Sequence, residues 1–193
     1  GVSAVMALIL GICAATLGKK VDSAISFAID TVMGIPHILL LILISYAMGK
    51  GLKGVIAGVA LTHWTSLARL IRGEVMQLRE SEYIQIAGKL GLGKWEIAKK
   101  HIVPHVLPQF IVGLVLLFPH AILHESSITF LGFGLSTEQP AIGVILSESM
   151  RYLIMGKWWL AVFPGMMLVL TVVLFEKGGT ALRQLLDPGS VHK

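Results

Sequence analysis

Charge is scarce in this chain. Only 14% of its 193 residues are charged and 55% are hydrophobic, whereas a soluble domain carries about 25% charged residues. Several stretches of sixteen or more residues hold no Asp, Glu, Lys or Arg. That distribution excludes a water-soluble globule and points to a polytopic membrane chain. Cysteine is nearly missing: Cys13 lies in an apolar run with no partner in the chain, which excludes an internal disulfide and leaves it a small packing residue. No G-x-x-x-x-G-K-[ST] is present, so the chain is not expected to bind ATP through a P-loop, and no H-E-x-x-H is present to organise a hydrolytic metal. The stretch Gly49 to Gly54 does match G-x-G-x-x-G, but a dinucleotide fingerprint needs a strand before it and a helix after it in a βαβ unit. Between two apolar spans the match carries no chemistry, and Gly54 and Gly58, four apart, instead suit the close approach of two helices. The opening apolar run precedes Lys19-Lys20, the reverse of a signal peptide, so the sequence is expected to begin inside a longer protein.

What is present is apolar length. Val2–Leu17, Ile35–Met48, Gly54–Leu70, Pro108–Leu123 and Trp158–Phe175 approach the reach needed for about 30 Å of hydrocarbon at about 1.5 Å per residue. The expected fold is all-α: a polytopic transmembrane helical bundle with five spans, residues 1–193 forming a single transmembrane domain. Val21–Met33 places Asp22 and Asp30 among apolar residues and reads as an interfacial helix that enters the membrane at Gly34-Ile35-Pro36. If the first span ends inside, twelve bases fall on inner segments: Lys19, Lys20, Arg69, Arg72, Arg79, Lys89, Lys94, Lys99, Lys100, Lys177, Arg183 and Lys193. Only Lys50, Lys53, Arg151 and Lys157 fall outside. Such a bias sets the segment from Tyr83 to Pro108 in the cytoplasm. The net charge of +5 is that of loops facing anionic lipid, so no nucleic-acid partner is expected. On the outer side, Ala141–Leu153 reads as a short helix dipping toward the external mouth, and Trp158-Trp159 as an aromatic belt.

Within the inner segment, Tyr83, Ile86, Ala87 and Leu90 recur at i, i+3, i+4 and i+7, the signature of a short helix with one apolar face. Gly91-Leu92-Gly93 breaks it. A second short helix starts near Lys94 with Trp95, Ala98 and Ile102 on one side, and Pro104 marks where it ends or bends. The result is a protruding knob over residues 81–106. Two readings stand: the apolar faces lie on lipid, or they dock into another protein. A glycine corner and an alanine at the centre of the apolar face suit close docking.

Ala87-x-x-x-Gly91, with Pro104 thirteen positions later, resembles the EAA loop in permease subunits of binding-protein-dependent ABC importers. Tyr83, Ala87 and Gly91 followed by His101-Ile102-Val103-Pro104 are similar to the C-type permease of the dipeptide, oligopeptide and nickel importers. Here Gln85, Ile86 and Val103 stand where that motif has Glu, Ala and Leu. The likeness continues in order through Val21-Asp22, Asp30 with Gly34-Ile35-Pro36, Trp64 to Arg69, Arg72 to Val75, Glu125 to Gly134, and Leu182-Arg183 with Asp187-Pro188. It implies a type I importer permease in a prokaryotic inner membrane, and a transport subunit that is not itself an enzyme and needs no cofactor. It implies as partners a second permease chain in a heterodimer, two ATP-binding subunits and an extracytoplasmic substrate-binding protein, with peptides or nickel and its chelates as cargo. Tyr83, Ile86, Ala87, Leu90, Gly91, Gly93 and Pro104 are then the residues that couple to the ATPase.

Ionisable groups at membrane depth are costly and direct attention to function or tight pairing. Asp30 is a candidate for the path or a partner for Arg69 or Arg72. His63 and Trp64 either line the path or pack. His120 and His124, one turn apart and followed by Glu125, are candidate ligands for a transition metal. The alternative to transport is a membrane-embedded metal-binding protein or metalloenzyme that uses these three; in the structural reading the histidines hydrogen-bond to neighbouring helices while Glu125 caps or packs, or lines the path.

Overall fold

The computed structural model describes residues 1–186, so Asp187, Pro188 and Lys193 lie outside the described residues. Among the described residues ten α-helices follow one another: α1 (Val2–Thr16), α2 (Lys19–Gly34), α3 (His37–Ala47), α4 (Gly51–Thr62), α5 (Trp64–Glu80), α6 (Glu82–Lys89), α7 (Lys94–Ile97), α8 (Val103–Phe130), α9 (Ile142–Leu153) and α10 (Trp159–Leu186). A π-helical turn, Ala98–Ile102, joins α7 to α8.

Among the described residues, Gly51–Glu80, Trp95–Phe130 and Trp159–Leu186 are long and apolar enough to cross a membrane. Helices α2 and α3 make a fourth span if taken together across the break at Ile35-Pro36. The count of five expected from apolar runs is reached only by adding α1. Its 15 residues extend about 22 Å, short of the hydrocarbon thickness.

The chain forms two compact units built from sequence-distant pieces: residues 1–34, 64–114 and the stretch from Thr180, and residues 35–63 and 115–179. In the first, α1 packs on α5. The contact surface is made of small residues on one side, Ala4, Ala7, Gly11, Ala14 and Ala15, and of Leu67, Ala68, Ile71 and Val75 on the other. A methyl added at Gly11 would stand 2.8 Å from the Ile71 side chain and 2.9 Å from the Ala68 carbonyl. Arg79 closes the end of α1 by donating to the Ala15 carbonyl. Helix α2 is held by two ion pairs to α5, Asp22 with Arg72 and Asp30 with Arg69.

In the second unit α3 packs on α4. Gly54 and Gly58 permit it: a methyl at Gly54 would lie 2.7 Å from the Ser45 carbonyl, and one at Gly58 3.1 Å from Leu41. Leu41, Val55 and Ile128 form the buried core there, with Ile42, Val59 and Leu135 around it. The segment after α8 is anchored by polar bonds, with Ser45 Oγ donating to the Phe133 carbonyl at 2.7 Å and the Gly51 N–H to the Gly134 carbonyl at 3.0 Å. Gly143 brings α9 against Ser126 of α8, and Phe175 of α10 stacks on Phe118 of α8 at 4.9 Å between ring centroids. Along the rest of α10, Phe163, Met166, Val169 and Leu170 are exposed.

Because a Gly54 side chain would meet backbone, which cannot rotate away, Gly54→Val is expected to destabilise the protein by about 1–3 kcal/mol through overpacking. A melting curve in detergent tests this. Gly165→Ala, where a methyl meets nothing within 4 Å, should leave the midpoint in place; equal shifts for both would refute the close α3–α4 contact.

Candidate functional site

The segment expected to couple folds as a hairpin of two short helices. Ser81 precedes α6 with extended backbone, and its hydroxyl is tied to the Leu78 carbonyl, which turns the chain out of α5. Helix α6 ends at Leu90, whose N–H donates to the Ile86 carbonyl at 2.9 Å. Gly91 follows at φ +90°, a left-handed conformation that glycine adopts without a steric cost, and the Leu92 N–H returns to the Ala87 carbonyl at 3.2 Å. Gly93 then leads into α7, its carbonyl accepting from the Ile97 N–H at 2.9 Å.

The hairpin has an inside and an outside. Ile84, Ala87, Ala98 and Ile102 are buried, whereas Tyr83, Ile86, Leu90 and Trp95 are exposed, Leu90 at 78% and Trp95 at 82%. Ala87, assigned by periodicity to one face with Tyr83, Ile86 and Leu90, thus turns inward to pack the hairpin. Pro104 does not end the helix. The chain passes through it into α8, and the π turn immediately before it supplies the extra residue that separates the proline ring from the preceding turn.

Of the other expected residues, Asp30 accepts from Arg69 Nη2, with both side chains largely exposed. Trp64 is buried at the start of α5. Glu125 bonds along its own helix, its carboxylate accepting from Thr129 Oγ1 at 2.8 Å and from Ser126 Oγ at 3.3 Å. His120 likewise faces its own helix, with Nδ1 2.8 Å from the Leu116 carbonyl. His124 instead meets His37 and His63. Its Nδ1 lies 3.1 Å from His63 Nε2, and the His37 ring centroid lies 4.3 Å from that of His124 and 4.9 Å from that of His63. Among the described residues His120, His124 and Glu125 do not form one ligand group; the trio that does is His37, His63 and His124.

Residues 7–190 match the family described as binding-protein-dependent transport system inner membrane component. The chain belongs to that family. It is similar to the dipeptide transport system permease protein DppC of Bacillus subtilis (strain 168), with 32% identity over 181 residues, 94% of this chain and 57% of that protein. The DppC protein of Alkalihalophilus pseudofirmus is 36% identical over 179 residues, covering 93% and 59%. The nickel transport system permease protein NikC of Escherichia coli (strain K12) is 31% identical over 186 residues, covering 95% and 66%. The chain therefore spans about three fifths of the length of the curated relatives it matches.

Sequence reasoning passed over His37 in this family member. It stands directly behind Gly34-Ile35-Pro36, yet no local spacing relates it to His63 or His124, because a helix period connects only residues a few positions apart. The one available signal was the number of histidines, seven in a chain this apolar.

The two ion pairs of α2 differ in shelter. Asp22 binds Arg72 through both carboxylate oxygens with side chains about a quarter exposed, whereas the Asp30–Arg69 pair is exposed on both sides. Asp22→Asn is expected to destabilise the protein by about 1–2 kcal/mol and Asp30→Asn by no more than about 0.5–1 kcal/mol. Thermal melting of the two variants checks the order. A larger loss from Asp30→Asn would show that exposure does not govern these pairs.

Proposed function

We propose that this chain is a permease subunit of an ATP-driven importer, lining part of a transmembrane path and performing no catalysis itself. Residues 1–193 form one transmembrane domain in this reading, and residues 81–106 form its cytoplasmic coupling loop. The observation that carries it is the exposed apolar row Tyr83, Ile86, Leu90 and Trp95 on a hairpin whose other apolar side chains, Ile84, Ala87, Ala98 and Ile102, are already buried. A folded element that keeps leucine and tryptophan outward is shaped to bury them against a partner. The partner fitting the family is an ATP-binding subunit, present in two copies, one for each chain of a permease pair. The second permease chain would cover the apolar flank of α10, and an extracytoplasmic binding protein would deliver cargo to the face bearing α9.

Coupling then follows from differential contact. ATP binding shifts the permease between outward-facing and inward-facing states only if the hairpin fits the closed and open ATPase pair with different free energies. The π turn and the unbroken passage through Pro104 join the hairpin to α8 without a loop, so a displacement at Leu90 is carried into a membrane span rather than absorbed. Cargo is a peptide or nickel in some form, on the strength of the relatives named for dipeptides and nickel. Uptake of labelled dipeptide against labelled nickel separates these.

Leaving Leu90 without its burial forfeits about 1.5–3 kcal/mol, on the order of ten- to a hundredfold in docking. Leu90→Asp and Trp95→Asp should therefore leave the amount of chain in the membrane unchanged while ATPase co-purification and uptake fall by at least tenfold. Normal uptake by both variants would overturn the coupling role.

A further inference from the structure

His37, His63 and His124 come from three separate parts of the second unit: the first residue of α3, the junction of α4 and α5, and the interior of α8. One ring nitrogen from each lies within 4.8 Å of those of the other two. Their neighbours orient the rings. Thr62 Oγ1 donates its proton to the Gly58 carbonyl at 2.9 Å, so toward His63 Nδ1, 3.1 Å away, it acts as the acceptor. In the Nδ1–H tautomer, which this acceptor and a backbone hydrogen bond to Val59 favour, His63 turns its Nε2 lone pair toward His124 Nδ1, 3.1 Å away. An oriented imidazole with its outer nitrogen bonded to a neighbouring oxygen is the arrangement that supports a metal ligand. His37 completes the group from the other side, and its Nε2 is buried without a hydrogen-bond partner. A cluster retained for hydrogen bonding alone would satisfy that atom.

We propose that His37, His63 and His124 form a three-imidazole site for a divalent transition-metal ion. The donor set selects the class. Imidazole nitrogen suits nickel, cobalt, zinc and copper, whereas calcium and magnesium require oxygen donors that this group does not offer. Metal–nitrogen bonds of about 2.0–2.1 Å bring tetrahedrally arranged nitrogens to about 3.4 Å. The His63–His124 separation is already near that value, and His37 closes the rest by side-chain rotation. Three neutral ligands leave the ion's charge uncompensated and a fourth position open, so the site suits an ion that carries its own anionic ligand. This assignment concerns the chain's own residues and holds whether the importer carries peptides or nickel.

The test uses the assembled transporter, purified in detergent with an affinity tag free of histidine and stripped with chelator. On titration with Co²⁺, one ion per copy of this chain should remain after gel filtration and show the visible absorption of a tetrahedral nitrogen site. His37→Asn and His63→Gln should each weaken binding at least tenfold. Thr62→Val, which keeps all three rings but removes the oxygen beside His63 Nδ1, should weaken it on the order of tenfold. His120→Ala should leave it unchanged. Because each variant's melting point is compared with and without Ni²⁺, a loss of metal-induced stabilisation is read separately from a loss of folding. No retained metal in the wild type, undiminished binding in His37→Asn and His63→Gln, or loss of binding through His120→Ala would overturn the assignment.

Discussion

Helices in lipid gain little by hiding apolar side chains from one another, because the surrounding tails are equally apolar. What holds them together is the distance of approach, and in this protein that distance is set by glycine. Gly11 admits Ile71 and the Ala68 backbone, Gly54 admits the backbone at Ser45, Gly143 admits Ser126, and Gly179 admits Leu116. Each approach increases the number of atoms in dispersion contact and brings hydroxyls such as those of Ser45 and Thr129 within reach of backbone groups. The core around Leu41, Val55 and Ile128 exists because α3 and α4 have first come close.

The polar side chains follow the same economy of space. Thr16, Thr62, Ser127 and Thr171 donate to carbonyls one turn back in their own helices, which removes an unpaired hydroxyl without requiring a neighbour. Charges are handled by pairing α2 to α5, with the more sheltered pair also the better bonded. Against that background the histidine trio stands apart. It joins three elements, and one of its buried nitrogens remains without a protein partner.

Much of this was legible in the sequence. The all-helical membrane architecture followed from charge depletion and run length. The break before His37 followed from Gly34-Ile35-Pro36, the turn in the hairpin from Gly91 and Gly93, the short α9 from Ala141–Leu153, and a close helix approach from Gly54 and Gly58, although not that α3 is the partner. The shortfalls share a physical cause. Periodicity places Ala87 on a face with Tyr83, Ile86 and Leu90 but does not say how much of that face the fold covers, and in the structure Ala87 is buried while the other three are exposed. Run length does not distinguish a full span from the shorter α1. His63 and His124 are 61 residues apart, and their meeting depends on a fold that no local spacing encodes.

Because the π turn at Ala98–Ile102 runs into α8 without a loop, the hairpin's orientation depends on the length of the helix that carries it as much as on residue type. One residue of an α-helix corresponds to about 100° of rotation. The π turn itself takes up one extra residue at nearly constant phase, whereas one residue fewer in the regular turns of α8 beyond it would wind the hairpin about the α8 axis by roughly that angle. Leu90 and Trp95 would then face a different compass bearing with every side chain unchanged. Length in those regular turns therefore matters as much as composition, since a one-residue deletion there redirects a surface that it does not touch, while the π turn is the place where a residue is gained or lost with least rotation.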